Sequence, residues 1–410
     1  MNYFDLGYNK FLQKASLIPR EYLSNSASDR VGYASTTPSA DAYKAVVSAN
    51  KGDGTFLSIQ EAIDEVNDFG GGEVFLKNGT YTLNNDLTLY SKVSLIGESF
   101  GGVVIVFAGA YSLKGTGSSI YSTGTVSITK GSTALTGLNT LWLANVTTSH
   151  KIVLSKFPYD IASVDSDTGI TLSSKYAGAT LSDATYVSAV YISGNKVENL
   201  IISGSSTHGV NFSYVDLPLL YFVYASAVGG NGFRFTNCLR TSLELCIADG
   251  CGSSGIYAAN TYLLNGDRAI LTNNASHGFE GDDVANMIFV SSPSDNNTTN
   301  GFNIINSTKY TLDVCEGARN GTHGLYTSAS SYGQINEGGY DANGTDGVRI
   351  DANSDFNNVV SVEATGNGGY GVNINSADCT ANIVALSQLS GNILGNTSDS
   401  GTGSIIVNNQ

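Results

Sequence analysis

From His208 onward the apolar positions recur as short alternating triplets on a fixed schedule. One column reads Val210, Phe233, Ile256, Phe279, Phe302, Leu325, Val348 and Val372, and a second, two positions on, reads Phe212, Phe235, Ala258, Gly281, Ile304, Thr327, Ile350 and Ile374. Between them stand Asn211, Arg234, Tyr257, Glu280, Asn303, Tyr326, Arg349 and Asn373. In-out-in alternation is the period of a strand. A glycine precedes each triplet: Gly209 to Gly347 follow one another at 23 residues, and Gly371 and Gly395 at 24. A fixed period of this length predicts a solenoid, in which each unit buries its apolar side only by stacking on its neighbours. The strand character, without any 3.6-residue periodicity, predicts an all-β, right-handed parallel β-helix with rungs ~4.8 Å apart. A second strand is expected about ten residues after each glycine, as at Leu243-Glu244-Leu245 and Leu312-Asp313-Val314, followed by a polar turn carrying Asn274, Asn297, Asn320 and Asn343. Stacked amides at one turn position read as a hydrogen-bonded ladder. His208, His277 and His323, each directly before a repeat glycine, read as a second turn ladder rather than as catalytic groups.

The chain before this array is organised differently. Residues 1–45 mix aromatic residues with a Ser/Ala/Thr-rich run and read as a flexible lead-in or as an anchor that folds on a partner. Residues 46–120 are expected to form a helix-containing cap and the first rungs. Ser58 with Glu61 makes a capping box, Ile59, Ala62, Ile63 and Val66 form one stripe, and Gly70-Gly71-Gly72 ends the helix. Residues 121–190 interrupt the regular pattern as a small inserted β module containing Trp142, the sole tryptophan, which reads as a core residue. The regular coil then runs over 191–395 and leaves 396–410 as a tail.

Two stretches carry a resemblance. Lys51-Gly52-Asp53-Gly54-Thr55-Phe56-Leu57-Ser58-Ile59-Gln60-Glu61-Ala62-Ile63, then Gly70-Gly71-Gly72-Glu73-Val74-Phe75-Leu76 and Gly79-Thr80-Tyr81, resembles the N-terminal cap of the pectate-lyase-like superfamily. That cap opens bacteriophage tailspikes and polysaccharide depolymerases, and also secreted pectinases and epimerases. The interrupting segment, with Val126 to Ser132, Leu135-Thr136-Gly137, Trp142, Tyr159 to Val164, Ile170-Thr171-Leu172 and Tyr176-Ala177-Gly178, resembles a module recurrent in tailed-phage structural proteins. Together the resemblances imply a virion protein of tailspike type that binds, and as an enzyme depolymerises, host surface polysaccharide. They also imply other virion proteins as partners through the N-terminal segment and a homotrimer, for which Tyr221-Phe222-Val223-Tyr224 offers apolar surface.

Composition narrows the partners. A net charge of −15 argues against nucleic acid or an anionic membrane as the main partner, and no apolar run approaches membrane-spanning length. The N-terminus shows no basic run followed by an apolar stretch, so the expected location is the virion, reached from the host cytoplasm without a signal peptide. Cys238, Cys246, Cys251, Cys315 and Cys379 have no metal-ligand spacing, and Cys246 and Cys315 are expected ~14 Å apart by rung rise. They read as reduced core residues. No cofactor or metal motif is present.

Sugar cleavage on such a scaffold needs two carboxylates on one exposed face. The middle of the second strand reads Tyr221, Glu244, Asp267, Val290, Asp313 and Asn336 down successive rungs. Glu244 and Asp267, with Asp313 as the alternative partner, are therefore the candidate catalytic residues. Tyr221, Arg268, Tyr257 and Tyr326 are the candidate substrate-binding residues. The competing reading is that outward positions on an acidic protein are often acidic, which makes the chain a non-catalytic β-helical adhesin or structural protein of the particle. A host-secreted pectinase is a third reading, which the missing signal peptide disfavours.

Overall fold

The computed structural model describes residues 43–49, 56, 58–407 and 409–410; residues 1–42 of the expected 1–45 lead-in, and Lys51–Thr55 and Leu57 of the cap motif, lie outside them, while Tyr43, Lys44 and Ala45 belong to the strand Tyr43–Val47. Helix α1 (Ile59–Asp68) begins where Ser58 accepts a hydrogen bond from the Glu61 N–H. Its stripe of Ile59, Ala62, Ile63 and Val66 is fully buried, against the strands Tyr43–Val47 and Gly72–Leu76, and so closes the first turn of the coil. From there parallel strands stack rung on rung, with one register shift between Ser203 and Ser205. Gly72–Leu76 pairs with Val93–Gly97, and Lys196–Ser205 pairs with both Val93–Gly97 and Val103–Gly109.

Rungs of the middle of the coil have three strands rather than two, and beyond Ser294–Asp295 the third is reduced to single bridges such as Glu316–Gly339 and Gly339–Glu363. In one middle rung the three are Phe233–Thr236, Leu239–Glu244 and Ile247–Asp249. Single residues in left-handed backbone make the corners: Asn237, Leu245 and Gly250 here, with φ of 53°, 53° and 64°. Leu245 and Val314 are therefore corner residues and not the inward end of the second strand; Val314 is exposed. The third strand is only two or three residues long, too short for alternation to mark it.

The glycine schedule has a steric origin. The scheduled glycines from Gly209 to Gly371 do not use positive φ, whereas Gly395 does (φ 132°) and pairs with Tyr370 instead of Gly371, so it lies outside the column. A Cβ on Gly232, Gly255 or Gly301 would instead lie 2.6–2.7 Å from the carbonyl oxygen of the equivalent glycine one rung on. Only a residue without a side chain lets the rungs close to strand spacing there. The Asn column is a buried ladder: Asn274 Nδ2 donates to Asn297 Oδ1 (2.9 Å), Asn297 to Asn320 (3.1 Å), Asn320 to Asn343 (3.2 Å) and Asn343 to Asn367 (3.0 Å). Nδ1 of His208, His277 and His323 accepts the backbone N–H of Asn231, Asn300 and Asp346. Inside, Phe233, Phe279 and Phe302 are fully buried, and Phe289 packs tilted on Phe279 (4.7 Å between centroids) and edge-on to Phe302 (5.9 Å). All five cysteines are buried and unpaired, and burial pushes the thiols of Cys238, Cys246, Cys251 and Cys315 up to about 12.

One corner is replaced by a folded module. Leu113–Thr116 pairs with Val210–Ser213, Gly117 takes the corner place held by Tyr214 one rung on, and the rung resumes at Ile192–Ser193 beside Val215–Asp216. Between these points lies an eight-stranded, mainly antiparallel sheet with its own core, in which Trp142 is fully buried and donates from Nε1 to the Tyr186 hydroxyl (2.9 Å). At the other end, 396–410 is not a tail. Gly395–Asp399 pairs with Tyr370–Ile374 and Ile405–Val407 with Ile383–Ala385, adding a further turn. No helix among the described residues is long and apolar enough to cross a membrane.

Candidate functional site

The second strand of each rung turns one column outward just before its corner. Leu239, Thr241 and Leu243 point in, so Glu244 faces out as the last strand residue. Register puts Tyr221 beside Glu244, Glu244 beside Asp267, Asp267 beside Val290, Val290 beside Asp313 and Asp313 beside Asn336. Glu244 and Asp267 are thus one rung apart, and Asp313 stands two rungs, ~10 Å, beyond Asp267 with an apolar side chain between.

Arg268 joins the two acids. It occupies the left-handed corner after Asp267 (φ 52°), which swings its side chain back along the column. Its Nη2 donates to Glu244 Oε1 and to Asp267 Oδ2, each at 2.9 Å, so these two oxygens lie no farther apart than twice that length. That matches the ~5–5.5 Å carboxyl spacing of retaining glycosidases better than the wider inverting one. The two acids differ in surroundings. The Glu244 side chain is 16% exposed and that of Asp267 37%. Burial raises the Glu244 pKa above the usual carboxylate range, with Arg268 opposing and Asp267 reinforcing. A half-buried acid with a raised pKa beside a more exposed, ion-paired carboxylate is the kind of asymmetry by which one site divides donor and nucleophile roles. Tyr221 is also pushed up, by burial first and then by Glu244.

Two further residues belong to this face. Glu198 pairs in register with Tyr221 and extends the column by one rung; counting one 23-residue period back from Tyr221 reaches it. Asn265, two residues before Asp267 and therefore on the same side of the strand, holds a buried Oδ1 with no hydrogen-bond partner among the described residues. It is an acceptor set beside the acids, and nothing in the sequence periodicity marks it.

Tyr257 and Tyr326 are not part of this cluster. They sit on the first strands, Ile256–Ala259 and Leu325–Ser328, in a separate sheet across a corner. There they share a column with Arg234, Glu280 and Arg349. Much of that column is turned to internal partners. Arg234 lies 5.7 Å from the Tyr257 ring, Ser254 donates to Glu280 (2.6 Å), and Tyr326 stacks on His323. The seven candidate residues therefore divide: Tyr221, Glu244, Asp267 and Arg268 form one contiguous group, Asp313 continues its column, and Tyr257 and Tyr326 form another face.

No family model matches the sequence, and no curated protein matches it. Solved structures do resemble it in fold. The A-module of mannuronan C-5 epimerase AlgE6 from Azotobacter vinelandii superposes with a TM-score of 0.55 at 16% identity, over 86% of this chain and 93% of that one. The tailspike protein gp49 of Pseudomonas phage LKA1 gives 0.53 at 12% identity, over 86% and 71%. The tailspike gp61 of Pseudomonas phage phi297 gives 0.51 at 13% identity, over 85% and 67%. At these identities the likeness is one of fold.

Proposed function

We propose that this chain, a pectate-lyase-like parallel β-helix, is a virion protein of tailspike type that binds and depolymerises a bacterial surface polysaccharide. The observation that carries the reading is the pair Glu244 and Asp267, stacked on adjacent rungs and bridged by one guanidinium on an outward face. Two tailspikes among the solved structures of this fold support the virion setting. In this mechanism Glu244 donates a proton to the departing glycosidic oxygen, and Asp267, held in place by its ion pair with Arg268, attacks the anomeric carbon. Water then releases the glycosyl-enzyme, with Glu244 taking the proton back. Tyr221 packs against a sugar ring. The working form is a homotrimer assembled through side faces of the coil and the N-terminal segment.

A second reading rests on the same bridge. Arg268 satisfies both carboxylates within the chain, which is what a structural corner clamp does, and an adhesin needs nothing more. Purified protein incubated with a panel of bacterial surface polysaccharides, alginate included, distinguishes the two. Release of new reducing ends by the wild type, falling by about 10²-fold or more in Glu244→Gln and in Asp267→Asn while binding persists, is the expected result. Wild-type protein that binds a glycan and never shortens it establishes the adhesin.

A further inference from the structure

The inserted module does not lie flush on the coil. Lys151 reaches Asp216 (3.7 Å), Phe157 packs on Tyr262 (5.4 Å between centroids), and Tyr191 packs on Tyr214 (5.7 Å), which fixes the module against the corner column between first and second strands. Beside these contacts the joint leaves a half-open cleft of about 370 Å³, within the usual range for small-ligand sites.

Its lining has a definite chemistry. Asn237 and Asn260 enter from the coil as left-handed corner residues. Their backbone N–H groups are committed to the next rung, donating to Ala259 and Asp282 carbonyls at 2.9 and 3.0 Å. Their side-chain amides have no hydrogen-bond partner among the described residues. Asn306, two rungs below Asn260 in the same column, does use its amide, donating to Asp282 (2.9 Å). Free amides are thus confined to the members that line the cleft. From the module come the hydroxyls of Ser155 and Thr185 and the ring of Tyr186. The Tyr186 hydroxyl is already used, accepting from Trp142 and donating to Thr123 (2.8 Å), so it offers the cleft an apolar surface. One cation is present, Lys156, and it is spent: it pairs with Asp283 and donates to the Asn306 carbonyl (2.8 Å).

Neutral donors and acceptors facing an aromatic wall, with no unpaired charge, suit a neutral polyhydroxylated ligand rather than an anion. We propose that the cleft between the inserted module and the coil is a second carbohydrate site, taking a neutral sugar unit. It shares no residue with the Glu244–Asp267 face, so either site stands if the other fails.

The test uses the full chain and neutral trisaccharides of glucose, N-acetylglucosamine, mannose, galactose and rhamnose, with binding read by saturation-transfer NMR and calorimetry. Two variants are compared. Asn237→Gly with Asn260→Gly removes both amides while keeping a residue that tolerates the corner conformation. Thr185→Trp, at an exposed position, fills the cleft. The expected result is that at least one trisaccharide binds and that both variants weaken it tenfold or more. The inference is overturned if no trisaccharide binds, or if affinity survives either variant. Binding of inorganic phosphate in place of sugars, or loss of sugar binding in Glu244→Gln rather than in the cleft variants, overturns it equally.

Discussion

Individual residues in this fold act as members of columns, and the histidines show what that implies for acid. His208, His277 and His323 each accept a backbone N–H at Nδ1, a role that protonation abolishes. Burial depresses all three, and takes His323 down to about 4 even though the Asp346 carboxylate, 3.6 Å away, pulls the other way. The folded value lies below the unfolded one near 6.5, so the unfolded chain holds the extra proton between them. Stability from these groups is complete above about pH 6.5 and declines as pH falls from there towards 4. The denaturant midpoint is therefore expected to drop between pH 7.5 and pH 5, above the range where carboxylates protonate. His323→Gln should flatten that slope. A midpoint constant across this interval would remove the histidine column from any role in acid sensitivity.

At the level of the rung, the corners decide the geometry, and they do so against residue preference. Leu245, Arg268, Ser291, Val314 and Glu337 all occupy one left-handed corner with φ between 48° and 53°. For an L-residue this conformation costs on the order of 1–2 kcal/mol, and a β-branched side chain is the poorest choice. What holds them is the ladder: each corner N–H donates to the carbonyl of the outward residue one rung on, at 2.9–3.2 Å. Val314 is exposed, so replacing it loses little burial. Val314→Asn is expected to stabilise the protein by about 1 kcal/mol, seen as a higher denaturant midpoint; an unchanged or lower one would mean that the corner is not strained. The same corner marks the limit of what the sequence reveals. The glycine column is legible because close approach admits one residue type at every rung. The corner is not legible because five unlike side chains share it, which is why Leu245 and Val314 read as inward strand residues. The acid column could be read from alternation alone, whereas the bridging of Glu244 and Asp267 depends on the corner under Arg268. Alternation places Tyr257 and Tyr326 in a column of their own on the first strands, but the period alone does not show that a corner turns that face away from the acids.

For the whole molecule, the surface left to a second copy lies away from residues 221–224. The stretch Tyr221 to Tyr224 is largely used internally: Val223 is fully buried, Tyr224 donates to Asp249 (3.1 Å), and Phe222 packs on Phe100. Exposed apolar groups stand instead lower on the coil, at Tyr332 and Phe356, stacked at 5.2 Å. The proposed homotrimer would bury that flank. Sedimentation at micromolar concentration should give three times the chain mass of 42.8 kDa, and a single-chain mass would reject the assembly. The corner that carries the inserted module also has a hereditary side. Where the glycine interval lengthens to 24, Ala352 and Asn353 are both left-handed, an extra residue taken up at that same corner. An addition within a strand would turn inward residues outward in every rung after it. An addition at this corner, whether one residue or the whole of 118–191, leaves the downstream register untouched. Changes in gene length are thus sorted by position: most break the reading of the coil, and those at one edge are kept as raw material for new surfaces.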